Sequence, residues 1–324
     1  VTSPNLHLAT TDLVAQDVFD VLGKLIPDLL LLDGAARAAG AANALVNPSF
    51  EFNQRLGSSY TGDNTYGLDR WYIETPGGET LVFSQDATQT VDTSSAHSAK
   101  AIFTRGAGVY GRVAQLLEDP ARYRGKPLAG RLPVKCATAN AARAFLIGGG
   151  ASSYSAYHPG DGQWHDLDVA LTVDPAAGAV EFGLDVRLDC TAWADNATLV
   201  PGLVPLPYVP LHPADERARV DRYYEVHMAP PANDWPYFQG YAPAGGLDIL
   251  WTVPWHTVKV RPPIVLIGGS WIGVNTGNSA PVLSSESVTG YAVKVTSAAA
   301  GLVSIRSDSS AGAAAGYIVG VANP

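Results

Sequence analysis

Two stretches decide the fold: Asp166-Leu167-Asp168-Val169-Ala170-Leu171-Thr172-Val173 and Val180-Glu181-Phe182-Gly183-Leu184-Asp185-Val186-Arg187-Leu188. In each, apolar side chains occupy alternate positions, which places them on one face of a β-strand and their neighbours on the other. Similar short runs, rich in Val, Leu, Ile and Phe and bounded by Gly, Pro, Asp or Ser, lie at 80–83, 100–104, 131–137 and 144–147. No helical pattern intervenes, so 45–203 is expected to form one antiparallel β-sandwich.

The flanks read differently. Upstream, Val14, Val18, Val21 and Leu25 repeat at helical spacing behind a candidate N-cap, Thr11, so 1–44 is expected to be a helical segment. Its stripe suits either packing on its own domain or oligomerisation and docking. Downstream, Pro201, Pro205, Pro207, Pro210 and Pro213 impose an extended linker. A short helix over 214–227 is expected next, with Asp215 and Glu216 in its first turn and Val220, Tyr223, Tyr224 and His227 along one side. The linker and helix occupy 204–228. Strand-like runs return at 247–253, 257–261, 264–267, 288–296, 301–306 and 317–321, so 229–324 is expected to be a second β-sandwich domain behind a 233–246 loop. From Ile264 onward only Glu286, Lys294, Arg306 and Asp308 are charged, which suggests a surface partly covered by another subunit.

Composition narrows the class. The 324 residues carry 21 Lys+Arg against 30 Asp+Glu, a net charge of −9, which argues against nucleic acid or anionic lipid as partner. Charged residues make up 16% of the chain, below the roughly 25% usual in soluble domains, while 33 Gly and 23 Pro punctuate it heavily. Both features favour a mostly β chain. The richest apolar stretch, 13–32, is broken by Asp17, Asp20, Lys24, Pro27 and Asp28, and is expected to be neither a membrane span nor a secretion signal. Cys136 and Cys190 allow a single disulfide or two buried thiols.

Nucleophile-elbow, phosphate-loop and zinc-protease motifs do not occur. Asp161, Asp166 and Asp168 could contribute to a carboxylate pair, but such pairs come from distant strands. His158 and His165 are the only neighbouring histidines. A sugar site needs no activated residue, only flat aromatic faces for the C–H-rich side of the ring and polar groups for its hydroxyls. Tyr60 and Tyr66 in a Gly/Asn loop, and Tyr154, Tyr157 and His158 in a Gly/Ser/Pro loop, are the candidates; packing under their own loops is the alternative. Trp71, Trp164 and Trp193 lie inside strand runs and are expected in the core.

Six phrases, in order, resemble those of carbohydrate-binding jelly-roll modules. They are Asn47-Pro48-Ser49-Phe50-Glu51, Gly67-Leu68-Asp69-Arg70-Trp71, Ser98-Ala99-Lys100-Ala101-Ile102, Tyr123-Arg124-Gly125-Lys126, Gly162-Gln163-Trp164, and 191–199 with its Asp195. The wider layout also resembles tailed-phage fibre and appendage proteins. Arg222-Tyr223-Tyr224-Glu225 follows the jelly roll, and then comes Val258-Lys259-Val260-Arg261-Pro262-Pro263.

These resemblances imply a non-enzymatic virion structural protein made in the host cytoplasm. It would attach to other virion proteins through 1–44, bind host surface polysaccharide and assemble as a homotrimer, a state also suggested by the N-terminal stripe and the charge-poor C-terminal domain. The alternatives are a polysaccharide-degrading depolymerase subunit and a decoration protein without glycan binding. The resemblance further implies a structural Ca2+ held by Glu51, Asp195 and the backbone carbonyl near Lys100. Ordinary strand-end acids are the competing reading of the two carboxylates.

Overall fold

A computed structural model describes residues 43–55, 57–228, 237–278, 280–307 and 317–322. The Val14 to Leu25 stripe lies outside the described residues. None of the helices among them is long and apolar enough to cross a membrane.

Residues 45–203 form a jelly-roll sandwich of two antiparallel sheets. The first sheet runs β1 (Ser59–Tyr60), β4 (Thr80–Asp86), β5 (Ser98–Thr104), β12 (Cys190–Ala194), β7 (Pro127–Cys136) and β10 (Trp164–Thr172). β13 (Thr198–Pro201) also pairs with β7, on whose length β12 takes one end and β13 the other. The second sheet runs β2 (Thr65–Tyr66), β3 (Tyr72–Glu74), β6 (Gly111–Leu116), β11 (Val180–Val186), β8 (Ala142–Gly148) and β9 (Ala151–Tyr154). The alternate apolar positions read from the sequence face inward: Leu167 and Val169 of β10 meet Phe182, Leu184 and Val186 of β11 in one core with Trp71, Phe83, Phe103 and Leu146. Gly130 sits where a Cβ would lie 2.4 Å from the Phe182 ring, so its absence lets the sheets close.

Asn47 pins the start of this domain. It adopts φ 55°, donates from Nδ2 to the Phe52 and Asp69 carbonyls, and its own carbonyl accepts the Trp71 indole N–H at 2.9 Å. The opening phrase is thus a backbone staple. Its amide N–H donates to Glu216 Oε1 at 2.6 Å, which brings α1 (Pro213–Asp221) onto the sandwich.

The helix is shorter than expected. Tyr224 to His227 belong instead to β14 (Tyr224–Met228), because their backbone groups pair with β22 (Tyr317–Val321). A stretch of alternating bulky residues satisfies helix and strand periodicity alike, and a free sheet partner settles it. Val220 and Tyr223 still pack together, against Val46, Phe52 and Val260, so the linker is docked on both sides.

Among its described residues the C-terminal domain has three three-stranded sheets rather than two layers. They are β14-β22-β17 (Ile264–Gly268), β15 (Tyr237–Ala242)-β21 (Gly301–Ser307)-β18 (Trp271–Val274), and β16 (Asp248–Pro254)-β20 (Gly290–Thr296)-β19 (Val282–Glu286). Inward residues of all three meet in one core: Phe238, Trp255, Val293, Val303, Ile305 and Ile318. β15 falls inside the expected 233–246 loop, and 257–261, expected as a strand, is not one. There Lys259 is drawn into a buried ion pair instead. Cys136 and Cys190 are free thiols, and the neighbouring Cys190 thiol brings the Cys136 thiol down to about 7.

Candidate functional site

The outer face of the second sheet gathers the aromatic and charged side chains of the jelly roll. Register aligns one row straight across it: Tyr66, Tyr72, Ala114, Gly183, Phe145 and Tyr154, each paired with the next. Adjacent strands are about 4.8 Å apart, and the two small residues are covered by the larger side chains around them: Ala114 and Phe145 have no exposed surface and Gly183 is buried. Gly183 is obligatory there, since a Cβ would lie 2.1 Å from the Val113 carbonyl oxygen.

A second row runs parallel: Glu74, Arg112, Asp185 and Arg143. Signs alternate along it, and the contacts are short. Arg112 bonds Glu74 at 3.0 Å and Asp185 at 3.2 Å, and Arg143 and Arg187 each reach Asp185 at 2.8 Å. Asp185 is wholly buried yet meets three guanidinium groups, the arrangement that makes a buried carboxylate tolerable.

The rows brace each other. Arg112 lies over the Phe145 ring at 4.5 Å and donates to the Tyr154 hydroxyl at 3.2 Å. Arg143 lies over Tyr154 and Tyr157, at 4.0 and 4.7 Å. The Tyr72 hydroxyl donates to Glu181 Oε1 at 2.6 Å, and the Tyr110 hydroxyl to Glu74 at 2.9 Å. Burial raises the Glu181 carboxyl above its ordinary range, against the lowering effect of Tyr72 and Arg112. Burial, and then the Glu74 carboxylate, push the Tyr110 hydroxyl up to about 12. Tyr72, Phe145, Arg112 and Asp185 form the buried floor, while Tyr66, Tyr110, Tyr154, Tyr157, Arg143 and Arg187 remain half-exposed around it. The floor is rigid and the rim offers ring faces, guanidinium donors and carboxylate acceptors.

Three of the residues singled out in the sequence, Tyr66, Tyr154 and Tyr157, converge on this face. Tyr60 does not. Its hydroxyl is held by Asn53 Oδ1 at 2.6 Å and the Gly57 carbonyl at 2.7 Å, so it closes its own loop and packs on the core. His158 is fully buried, with Nδ1 taking the Gly160 N–H at 2.9 Å and Nε2 at 3.0 Å from the Gln163 carbonyl. Both ring nitrogens serve the loop, and no ligand can reach them. Trp71 is core, but Trp164 and Trp193 are half-buried on the outer face of the first sheet, in register on either side of Lys135. Tyr72, Glu74, Arg112, Arg143 and Asp185 belong to this face without any motif that marks them in the sequence. The signal was the polar half of the alternation, Glu181, Gly183, Asp185 and Arg187.

The expected calcium ligands do not fit the ion. Glu51 Oε1 accepts the Ala96 N–H at 2.5 Å and the His97 N–H at 3.2 Å, and Oε2 faces His97 Nδ1 at 2.9 Å. Asp195 accepts from Val91 N, Ser95 Oγ and Asn196 N at 2.7–3.0 Å. Calcium needs six to eight oxygens turned toward it, whereas these carboxylates are ringed by N–H and O–H donors in two separate sets. Lys100 pairs with Ser84 and Trp193 on the first sheet, its ammonium 3.6 Å from Asp86. The melting temperature should therefore be the same in chelator and in millimolar calcium; a saturable rise would restore the ion.

Burial pushes Asp195 up to about 6 despite those donors, and Asp69, also fully enclosed, likewise to about 6. A carboxyl whose folded pKa lies above the ordinary 3.8 binds its proton more tightly when folded. Its contribution is therefore complete below pH about 4 and lost as pH rises through 6. On acidification from pH 7 to 4 the wild type should gain on the order of 2 kcal/mol relative to Asp195→Asn. Parallel denaturation curves for the two proteins would refute this.

No protein-family model matches the sequence, and no curated protein matches it either. Among solved structures, the chain is similar to the enzymatically active domain of tailspike protein 4 from bacteriophage CBA120, at 13% identity and a TM-score of 0.37 over 50% of this chain. It spans 22% of that tailspike chain. It is also similar to the xylan-binding domain CBM22-1 of Paenibacillus barcinonensis Xyn10C, at 13% identity, TM-score 0.32, and 48% and 98% of the two chains. A third is a family 11 carbohydrate-binding module from Clostridium thermocellum in complex with a mixed-linked tetrasaccharide, at 12% identity, TM-score 0.31, and 46% and 98% coverage.

Proposed function

We propose that the chain is a non-catalytic glycan-binding subunit of a tailed-phage particle, a fibre or head/tail appendage that holds host surface polysaccharide on the outer face of the second sheet. One observation carries this reading. The row from Tyr66 to Tyr154 ends on half-exposed tyrosine rings and runs beside a parallel row of fixed charges. Pyranose rings present C–H faces to aromatic walls and hydroxyls to charged partners, and an extended sheet row suits a chain of sugars. Residues 1–44 dock to other virion proteins in this reading. The homotrimer is supported by apolar side chains on outward faces of the C-terminal sheets, among them Leu250, Ile264, Leu266 and Val274, each more than half exposed.

Retention on immobilised host polysaccharide tests the proposal. Tyr154→Ala should weaken it about tenfold, the value of one aromatic contact, while Trp164→Ala on the opposite face leaves it unchanged. Equal retention by both variants would place the sugar elsewhere.

A second reading, a polysaccharide-degrading subunit, is favoured by one feature of the same face. Burial raises the Glu181 carboxyl above its ordinary range and Glu74 lies on the same face, ion-paired with Arg112, and a pair of carboxyls is what glycoside cleavage uses. Release of reducing sugar from host capsule, abolished in Glu181→Gln, would establish it; binding without release supports the non-catalytic role.

A further inference from the structure

At the junction between the linker and the C-terminal domain, two imidazoles converge on one carboxylate oxygen. Glu225 and His227 are alternate residues of β14, so their side chains leave the same face. His256 arrives from the turn after β16. Glu225 Oε1 lies 2.5 Å from His227 Nε2 and 2.8 Å from His256 Nδ1, and also accepts the His256 backbone N–H at 2.9 Å. The two rings stand nearly perpendicular, at 74°, with centroids 4.9 Å apart.

The surroundings fix these three groups. His227 Nδ1 is 2.9 Å from the Tyr291 hydroxyl, and its ring rests against Trp255. Glu225 Oε2 is held by Lys259 Nζ at 2.6 Å, which leaves Oε1 as the one oxygen directed at the histidines. Glu225 and Lys259 are enclosed, but the His256 side chain is 75% exposed, so one side of the cluster is dry and the other opens to water.

We propose that Glu225, His227 and His256 form a binding site for a zinc-like divalent cation, ligated through Oε1, Nε2 and Nδ1. Two imidazoles and one carboxylate oxygen are a borderline-soft donor set that suits Zn2+, Co2+ or Ni2+ and not Ca2+. A partner on the far nitrogen of a ligating histidine and a second anchor on a ligating carboxylate orient such ligands; Tyr291 and Lys259 fill these roles. Tetrahedral ligation at about 2.0–2.1 Å places ligand atoms about 3.3 Å apart. The Glu225–His256 spacing of 2.8 Å therefore has to open by about half an ångström, for which the exposed His256 ring has room, and the Glu225–His227 spacing of 2.5 Å by about 0.8 Å, which a shift of the Glu225 carboxylate has to supply. Water takes the fourth position. The ion ties β14 to the turn at 255–256, and with it the linker to the C-terminal domain. The other grouping of this kind, His158, Asp161 and His165, lacks the required freedom, since both nitrogens of His158 are spent on its loop.

Thermal denaturation of the metal-stripped full chain, titrated with zinc sulfate, tests the assignment. The midpoint should rise saturably, by on the order of 5 °C at a hundredfold excess over Kd. His256→Ala removes an exposed side chain that the fold does not need, and should abolish the rise; His165→Ala should leave it intact. Cobalt should add visible absorption that zinc displaces in the wild type and that His256→Ala lacks. No rise with zinc would show the cluster to be a hydrogen-bonded ion-pair group only. An undiminished rise in His256→Ala, or one lost in His165→Ala, would equally overturn the site.

Discussion

Asp185→Ala should cost roughly 3–5 kcal/mol of jelly-roll stability, the usual penalty for removing one partner from a buried ionic group. The carboxylate has no exposed surface, and its two oxygens meet Arg112, Arg143 and Arg187 at 2.8–3.2 Å. Deleting it leaves three guanidiniums facing one another, with Arg112 buried and Arg143 and Arg187 only partly reached by water. Glu74 can compensate Arg112 alone. The midpoint of urea denaturation reads this directly, and Asp185→Asn, which keeps the shape but not the charge, should fall between the two. The same variants should release Arg143 from its place over Tyr154 and Tyr157 and so weaken glycan retention. A loss under 1 kcal/mol would mean that the charged row is not one cooperative unit.

Trp71→Ala should be as damaging, at about 3–5 kcal/mol, for a different reason. The indole is 1% exposed and packs on Phe50 with ring centroids 4.7 Å apart. Its N–H donates to the Asn47 carbonyl, which keeps only the Phe50 N–H at 3.2 Å once the indole is gone, so the substitution opens a cavity and removes the shorter of two hydrogen bonds to a buried acceptor. Because Asn47 also anchors α1 through Glu216, the helix should loosen along with the core, visible as faster amide exchange around Val220. Trp164→Ala, by contrast, removes a half-buried ring from the outer face of the first sheet and should cost about 1 kcal/mol or less. Equal losses in the two variants would contradict this assignment of core and surface.

That contrast also shows what the sequence could and could not reveal. Alternation in 166–173 and 180–188 identified the sandwich and its inward residues, because burial on one face leaves a direct trace in composition. The outward face leaves a weaker one. Glu181, Gly183, Asp185 and Arg187 read as ordinary solvated positions until register sets them beside Glu74, Arg112 and Arg143, and register comes from strand order. Trp164 and Trp193 fit a core in the sequence because tryptophan within a strand usually means burial; only pairing parity assigns them outward. Tyr60 and His158 were misleading for the opposite reason. Each sits in or beside a loop rich in glycine and small polar residues, yet its polar atoms bond back to that loop. Beyond α1, the run from Tyr223 to His227 carried no capping signal between helix and strand, and pairing with β22, some ninety residues later, resolved it. The convergence of His227 and His256 on Glu225 was equally hidden, since it depends on where the turn after β16 returns.

The outer face of the second sheet is the proposed sugar site. A glycan array probed with the intact chain, the Tyr66→Ala/Tyr154→Ala double variant and the Trp164→Ala/Trp193→Ala double variant tests it most directly. Binding to one class of polysaccharide by the wild type, lost in the tyrosine pair and kept in the tryptophan pair, is the predicted result. Absence of binding by the folded wild type, or a loss confined to the tryptophan pair, would contradict it.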